Sequence, residues 1–279
     1  MCIRDSVDAA HKRVEDKFGE HVLDFGAVNA AAPVSYTHLD VYKRQALLST
    51  EAKDALLLAI ADAIEANEKS ILDANREDVE DSGLEGAMRD RLALTSSRIK
   101  DMARGVREVA ILPDPIGDTV AEWTKSNGLR IRKVRVPLGV IGIIYESRPN
   151  VTVDTAVLAL KTGNAIVLRG GREAARSSQR LVEIMTAIPG LPEGAIELLD
   201  SSTRQTVHEL IRARGLVDVI IPRGGAGLIT FVTENSAVPV IETGAGNCHI
   251  FVDDSADFDM ADRIVINAKT CLLYTSRCV

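Results

Sequence analysis

The chain has 279 residues, 46% apolar and 26% charged, with a mean hydropathy of +0.06, which excludes intrinsic disorder for its bulk and suffices for one large core or two smaller ones. Its net charge of -7, from 33 Lys and Arg against 40 Asp and Glu, gives no overall basic field, so no nucleic-acid partner is expected. No apolar run reaches the ~18 residues of a bilayer span and Met1–Ser6 holds no apolar signal core, so no membrane partner is expected and the cytoplasm is the default compartment.

Residues 1–45 fit poorly with the rest of the chain. Residues 11–25 have the spacing of a short amphipathic helix, and Ala30–Pro33 reads as a linker. Met1–Ser6, Val34–Gln45 and Cys271–Val279 resemble translated adapter sequence; a variable terminal extension is the other reading. Residues 1–45 are therefore set aside as a foreign or disordered extension and residues 271–279 as a foreign tail. Cys2, Cys271 and Cys278 fall in these segments. Together with Cys248 they form neither a disulfide framework nor a zinc pattern, and no metal is expected.

Over 46–118 the pattern is helical. Leu47, Leu48, Ala52, Ala55, Leu56, Ala59, Ile60, Ala63 and Ile64 recur at helical spacing, with Ser49 or Thr50 as the cap and Glu51 in the first turn. A second helix is predicted over about 66–80 and a third from near Thr95, stopped by Pro113 and Pro115. Residues 119–136 read as a hairpin: Val120–Thr124, a turn at Asn127-Gly128, then an alternation from Leu129 that slips phase at Lys133. Arg130, Arg132, Lys133 and Arg135 lack an aromatic platform for nucleic acid, so a solvated or subunit-facing hairpin is expected.

From 137 to 270 apolar runs alternate with helical patterns. The predicted strands are Val140–Ile144, Ala165–Leu168, Ala195–Leu198, Val217–Ile221, Val238–Ile241 and His249–Val252. Helices fit at about 151–162, 173–187, 203–213, 225–234 and 257–269, with a capping-box spacing at Ser202–Gln205. Near-continuous apolar strands joined by helices imply an α/β fold, a doubly wound parallel sheet with ligands at the carboxyl ends of its strands. Two strand-to-helix turns carry glycines beside an arginine: Arg169-Gly170-Gly171 and Arg223-Gly224-Gly225. Glycine admits close approach of backbone amides to a phosphate, and the arginine adds a fixed charge. Two such turns in one sheet point to a phosphate-bearing cofactor.

The stretches PLGVIGIIYESRPNVTVDTAVLALKTGNAIVLRGGREA (137–174), VDVIIPRGG (217–225), VPVIETGAGNCHIFVDDSAD (238–257) and NAKT (267–270) resemble the gamma-glutamyl phosphate reductase family of the aldehyde dehydrogenase-like superfamily. The resemblance spans about 46–270. It implies a Rossmann-like cofactor domain and NADPH-dependent reduction of L-glutamyl 5-phosphate to L-glutamate 5-semialdehyde in proline biosynthesis, through a cysteine thioester. It also implies a homo-oligomer at full length and glutamate 5-kinase as a candidate partner. Arg169 stands where the superfamily has a lysine that contacts the cofactor. Arg223, Gly224 and Gly225 match the pyrophosphate turn, and Gly170 and Gly171 are its counterpart after the earlier strand. Glu242 matches a general base or nicotinamide-contacting glutamate. Arg148 and Asn150 match the approach to the substrate carbonyl, although a structural Arg-Pro turn is equally open.

The family's nucleophile lies a few residues after NAKT, in an Arg-Pro-x-x-Cys-Asn context. Here the match stops at Thr270, and neither Cys271 nor Cys278 has that context. Cys248 is read as a packed small residue and His249 as a core histidine. The catalytic domain is thus expected to be missing and the chain inactive as written. Two alternatives stay open: a nucleotide-binding module without catalysis, and another NAD(P)-dependent aldehyde dehydrogenase. The second of these requires a Pro-Trp-Asn-Phe loop where this chain has Glu146-Ser147-Arg148-Pro149.

Overall fold

The computed structural model describes residues 47–242, 244 and 249–270. Ser49 caps α1 (Thr50–Ala66), its hydroxyl accepting from the Ala52 amide at 3.2 Å. The predicted apolar stripe turns inward, and Leu56, Leu57, Ile60, Ala61 and Ile64 are buried. After α2 (Glu68–Asp81) comes α3 (Gly86–Leu92), which the periodicity did not predict. Seven residues are too few to display a helical period. Thr95 caps α4 (Ser96–Ala110), whose Ile99, Met102, Ala103 and Val106 pack against α1.

The hairpin pairs β1 (Thr119–Thr124) with β2 (Arg130–Val134) in antiparallel register. Its loop has three residues, with Asn127-Gly128 in the turn: Gly128 N donates to Lys125 O and Lys125 N to Leu129 O, both at 2.9 Å. Gly128 takes the left-handed φ of 84° that such a loop demands. The irregularity also lies on the other strand, between Thr119 and Ala121, and not at Lys133. The basic residues are exposed, and Arg130 pairs with Glu122 across the ladder.

The core sheet is built in chain order from β3 (Val140–Tyr145), α5 (Pro149–Lys161), β4 (Ala165–Arg169), α6 (Ala175–Thr186), β5 (Ile196–Leu198), α7 (Gln205–Arg212), β6 (Val219–Arg223) and α8 (Ala226–Asn235). Its strands are parallel in the order β5-β4-β3-β6. Alternate residues feed two cores. Ile141, Ile143, Ile166, Leu168 and Ile196 join the cluster of α1, α4, α5 and α6. Val140, Ile144, Ala165, Val167 and Ile220 meet Leu210 and Ile211 of α7 and Val232 of α8. Helices therefore cover both faces, and the fold is the expected doubly wound α/β type. The chain winds outward from β3 to β5, then returns to lay β6 on the other side of β3. The winding reverses between β3 and β6.

Three expectations need correction. Val238–Ile241 is no strand: it makes a single bridge, Ile220 to Val240, and Pro239 has no amide to extend it. His249–Val252 has no ladder partner among the described residues and is exposed, so His249 is not a core histidine. Ser202 does not cap α7, whose N-cap is Arg204 with no side-chain bond. Asp200 captures Ser202 instead, accepting from its amide at 2.8 Å, a local turn that competes with the capping box. The last helix is α9 (Phe258–Thr270).

One buried polar network ties the first helices to the sheet layer. The α6 start has no cap of its own, and Asp78 of α2 supplies one. Its carboxylate accepts from Arg176 N at 3.2 Å, Ser177 N at 2.8 Å and Ser177 Oγ at 2.7 Å. Asn75 donates to Leu92 O at 2.9 Å and accepts from Leu94 N at 2.7 Å, which anchors the end of α3. Asp78→Ala leaves two amides and a hydroxyl without their acceptor; we expect it to cost about 2 kcal/mol in urea unfolding. A change below about 0.5 kcal/mol would show the cap to be dispensable.

Candidate functional site

Parallel strands of this kind end with their carbonyl edges facing one side, and the crevice at the reversal point is where side chains from two turns can meet a ligand. Here β3 and β6 end together, with Tyr145 in register with Arg223. Beyond β3 the chain runs through Glu146, Ser147 and Arg148 into Pro149, the first residue of α5, whose missing N–H suits that position. Beyond β6 it turns through Gly224 and Gly225 into α8. The two turns enclose a cavity of about 450 Å³. Tyr145, Glu146, Arg148 and Val151 form one wall, Arg223, Gly224 and Gly225 another, and Met88 and Arg91 of α3 a third.

A side chain at 224 would have to displace the Glu146 carboxylate. A Cβ there would lie 2.8 Å from the Glu146 carboxyl carbon. Gly225 is the N-cap of α8 and has no side-chain cap, so the helix presents bare amides and the positive end of its dipole. Glu146 already uses one of them: Oε1 accepts from Gly225 N at 2.7 Å. An anion therefore fits this turn, as a phosphate oxygen would. Arg148 is half-buried, and burial, then the nearby Arg91 and Arg223 guanidiniums, push its pKa below the ordinary arginine range.

The sequence-predicted residues divide into two groups. Arg148, Arg223, Gly224 and Gly225 converge on the cavity. Arg169, Gly170 and Gly171 do not line it. The Arg169 guanidinium donates to Gly170 O at 2.9 Å and Thr203 O at 2.8 Å, binding its own loop together. The two glycines let that loop press on β3: a Cβ on Gly170 would meet the Tyr145 ring at 3.1 Å, and one on Gly171 the Ser147 hydroxyl at 2.7 Å. Ser147 Oγ donates to Glu173 at 2.7 Å, and that bond chiefly holds the Glu173 carboxyl below its usual range. Asn150 is exposed and donates to Asp154 at 3.1 Å. Burial raises the Asp154 pKa against the pull of Asn150 and Arg223. Glu242 is exposed and outside the cavity walls. Cys2, Cys248, Cys271 and Cys278 all lie outside the described residues.

Sequence reasoning missed Arg91, Met88 and Glu146. Arg91 sits in Met88-Arg89-Asp90-Arg91, which has the look of a solvated helix face. Glu146 was passed over for its neighbour Arg148. Among the described residues no group of His, Cys, Asp and Glu could hold a metal, and no helix is long and apolar enough to cross a membrane.

Residues 27–273 match the profile of the aldehyde dehydrogenase family. The gamma-glutamyl phosphate reductase of Koribacter versatilis is 69% identical over 223 residues, 80% of this chain and 54% of that protein. The enzyme of the same name from Moorella thermoacetica is 57% identical over 229 residues, 80% of this chain and 55% of that protein. Among solved structures, gamma-glutamyl phosphate reductase from Thermotoga maritima superposes with a TM-score of 0.74 at 46% identity, over 83% of this chain and 57% of that one. The Saccharomyces cerevisiae counterpart gives 0.68 at 30% identity, over 84% and 60%. The chain spans about half the length of the curated relatives it matches.

Proposed function

The chain belongs to the aldehyde dehydrogenase family, and from that premise we propose for it a dinucleotide-binding role in the reaction that its relatives' name describes. We read that reaction as the NADPH-dependent reduction of L-glutamyl 5-phosphate to L-glutamate 5-semialdehyde with release of phosphate. The arginine-lined cavity at the β3–β6 reversal carries this proposal: it combines the place where a doubly wound sheet takes a dinucleotide with helix amides and fixed positive charge. Arg223 and the amides of Gly224 and Gly225 would hold the pyrophosphate. Arg169, Gly170, Gly171 and Glu242, which lie outside this cavity, would meet the parts of the cofactor that reach beyond it, and Arg148 and Asn150 the substrate.

Bound NADPH supplies the hydride. A cysteine thiolate displaces phosphate from the acyl phosphate to form a thioester; its reduction gives the aldehyde and frees the thiolate. None of the four cysteines stands in an Arg-Pro-x-x-Cys-Asn context, so these 279 residues are proposed to bind without turnover. The exposed Val120 and Trp123 suit the hairpin to a subunit contact in a homo-oligomer. Residues 46–118 and 137–270 then form the cofactor domain. Glutamate 5-kinase, as the source of the acyl phosphate, would be a partner in the cytoplasm.

A fluorescence titration with NADPH, run beside a coupled NADPH-oxidation assay with glutamyl phosphate, tests the proposal. Saturable binding without turnover is expected. No binding would overturn the dinucleotide role, and turnover would overturn the inactivity.

A further inference from the structure

We propose that Arg91 and Arg148, with Arg223 shared between them and the glycine turn that would hold the pyrophosphate, form a binding site for a phosphoryl dianion other than the dinucleotide's own phosphates, with Arg91 as the residue that completes it. The identity of that phosphoryl group, the acyl phosphate of the substrate or the phosphate it releases, rests on the reductase proposal; the existence of the site does not.

Three guanidiniums reach one cavity from three separate elements: α3, the turn before α5, and the end of β6. Among the described residues none of them forms a salt bridge within 4.0 Å, although Glu146 acts electrostatically on Arg148 and Asp154 on Arg223. The cavity walls include one acid, Glu146, and its carboxylate is committed to Gly225 N at 2.7 Å. Three positive charges and one negative leave two positive, the complement of a phosphoryl dianion. Asp154 lies within electrostatic reach of Arg223 but outside the walls.

Arg91 gives the second observation. Its Nε is buried and has no hydrogen-bond partner. Among the described residues its one side-chain hydrogen bond is from Nη1 to the weak acceptor Met88 Sδ at 3.8 Å. A buried donor left unpaired is costly, and Arg91 lines the cavity with no oxygen accepting from its guanidinium among the described residues. The depressed pKa of Arg148 agrees: burial lowers it most, and Arg91 and Arg223 lower it further by repulsion that Glu146 only partly offsets. Arg91 and Arg148 also stand outside the glycine turn that leads into α8, so the helix amides do not need them to hold a dinucleotide. Asn75 anchors the end of α3 through backbone groups of Leu92 and Leu94, not through Arg91. Arg91 can therefore be changed while its helix stays in place.

Calorimetric titration of the 279-residue chain with inorganic phosphate, with and without saturating NADP, tests the site. Arg91→Gln should weaken phosphate roughly 10-fold or more. Arg91→Lys, which keeps the charge but loses the planar fork, should fall between it and the parent. NADP affinity should change by less than about twofold in both variants, and saturating NADP should leave phosphate bound. No phosphate binding by the parent, unchanged phosphate affinity in Arg91→Gln, or competitive displacement by NADP would overturn the proposal. If Arg91→Gln fails to fold, equal phosphate affinity in Arg91→Lys and the parent overturns it. Arg91-dependent phosphate binding without NADP binding would sink the dinucleotide role and leave this site standing; the opposite result separates the two in the other direction.

Discussion

Asp114→Ala is expected to lower the folding free energy by about 3–5 kcal/mol, a large share of the stability of an ordinary domain. Asp114 lies beyond α4 and reaches back to α1. Its carboxylate pairs with Lys53, and the two side chains are only 8% and 3% exposed. It also accepts from Thr50 Oγ1 and from Ile116 N, each at 3.0 Å. Alanine strands an ammonium in the interior and removes the acceptor of two further donors, so the loss exceeds the ~1 kcal/mol of an exposed pair. At ~2–4 °C per kcal/mol for a chain of this size, the melting temperature should fall by roughly 10 °C. Burial raises the Asp114 pKa, but the bonds from Lys53, Ile116 and Thr50 outweigh it and leave the pKa lowered. A lowered folded pKa means the contribution is present above the unfolded value of about 3.9 and is lost as pH falls through the folded pKa. The gap between parent and variant should thus be full at neutral pH and narrow in the acid limb. A neutral-pH difference under about 1 kcal/mol would show that Lys53 finds another partner.

That ion pair was invisible in the sequence, and the reason is general. Periodicity reports which face of an element is apolar; it does not report which charges two distant faces bring together. Leu57, Ile60 and Ile64 were legible because they repeat at helical spacing. Val140–Ile144 and Ala165–Leu168 were legible because a strand covered on both faces must be apolar throughout. Val238–Ile241 and His249–Val252 have the same composition and failed, because a strand exists only with a ladder partner. Pro239 denies one of them an amide, and the other lies exposed. The turn Arg223-Gly224-Gly225, singled out by its local chemistry, lines the cavity at the reversal point. Its equivalent in sequence, Arg169-Gly170-Gly171, has the same local chemistry but a different place. It ends β4, on the far side of β3 from the reversal point, and its arginine is spent on Gly170 and Thr203 carbonyls. Only the strand order separates the two turns. Arg91 was hidden for a related reason: its helix is too short to carry a period, and Asn75, not its own sequence, sets where it sits.

Gly224→Val should reduce NADPH affinity roughly 100-fold while moving the melting temperature by no more than about 2 °C. The Cβ of any other residue at 224 meets the Glu146 carboxyl group at 2.8 Å, and a branched side chain fills the space on that side of the turn. A phosphate then loses about two amide hydrogen bonds, each worth ~1.5 kcal/mol when the acceptor is charged. Stability changes little because Gly224 is only half-buried, in a turn, and carries no positive φ that valine would strain. Glu146→Gln tests the same place from the opposite side. Glu146 now occupies the Gly225 amide that the pyrophosphate would use, and its charge opposes an incoming anion. Glutamine keeps the shape, accepts more weakly and carries no charge, so NADPH should bind severalfold tighter. Loss of affinity in both variants would mean that Glu146 holds the turn in its binding shape. Loss in Gly224→Val with a gain in Glu146→Gln would mean that the carboxylate is a resident anion, held at the helix end until a phosphate displaces it. Arg223, which lines the cavity beside the glycine turn, favours the second outcome, since its fixed positive charge attracts the entering phosphate that Glu146 repels.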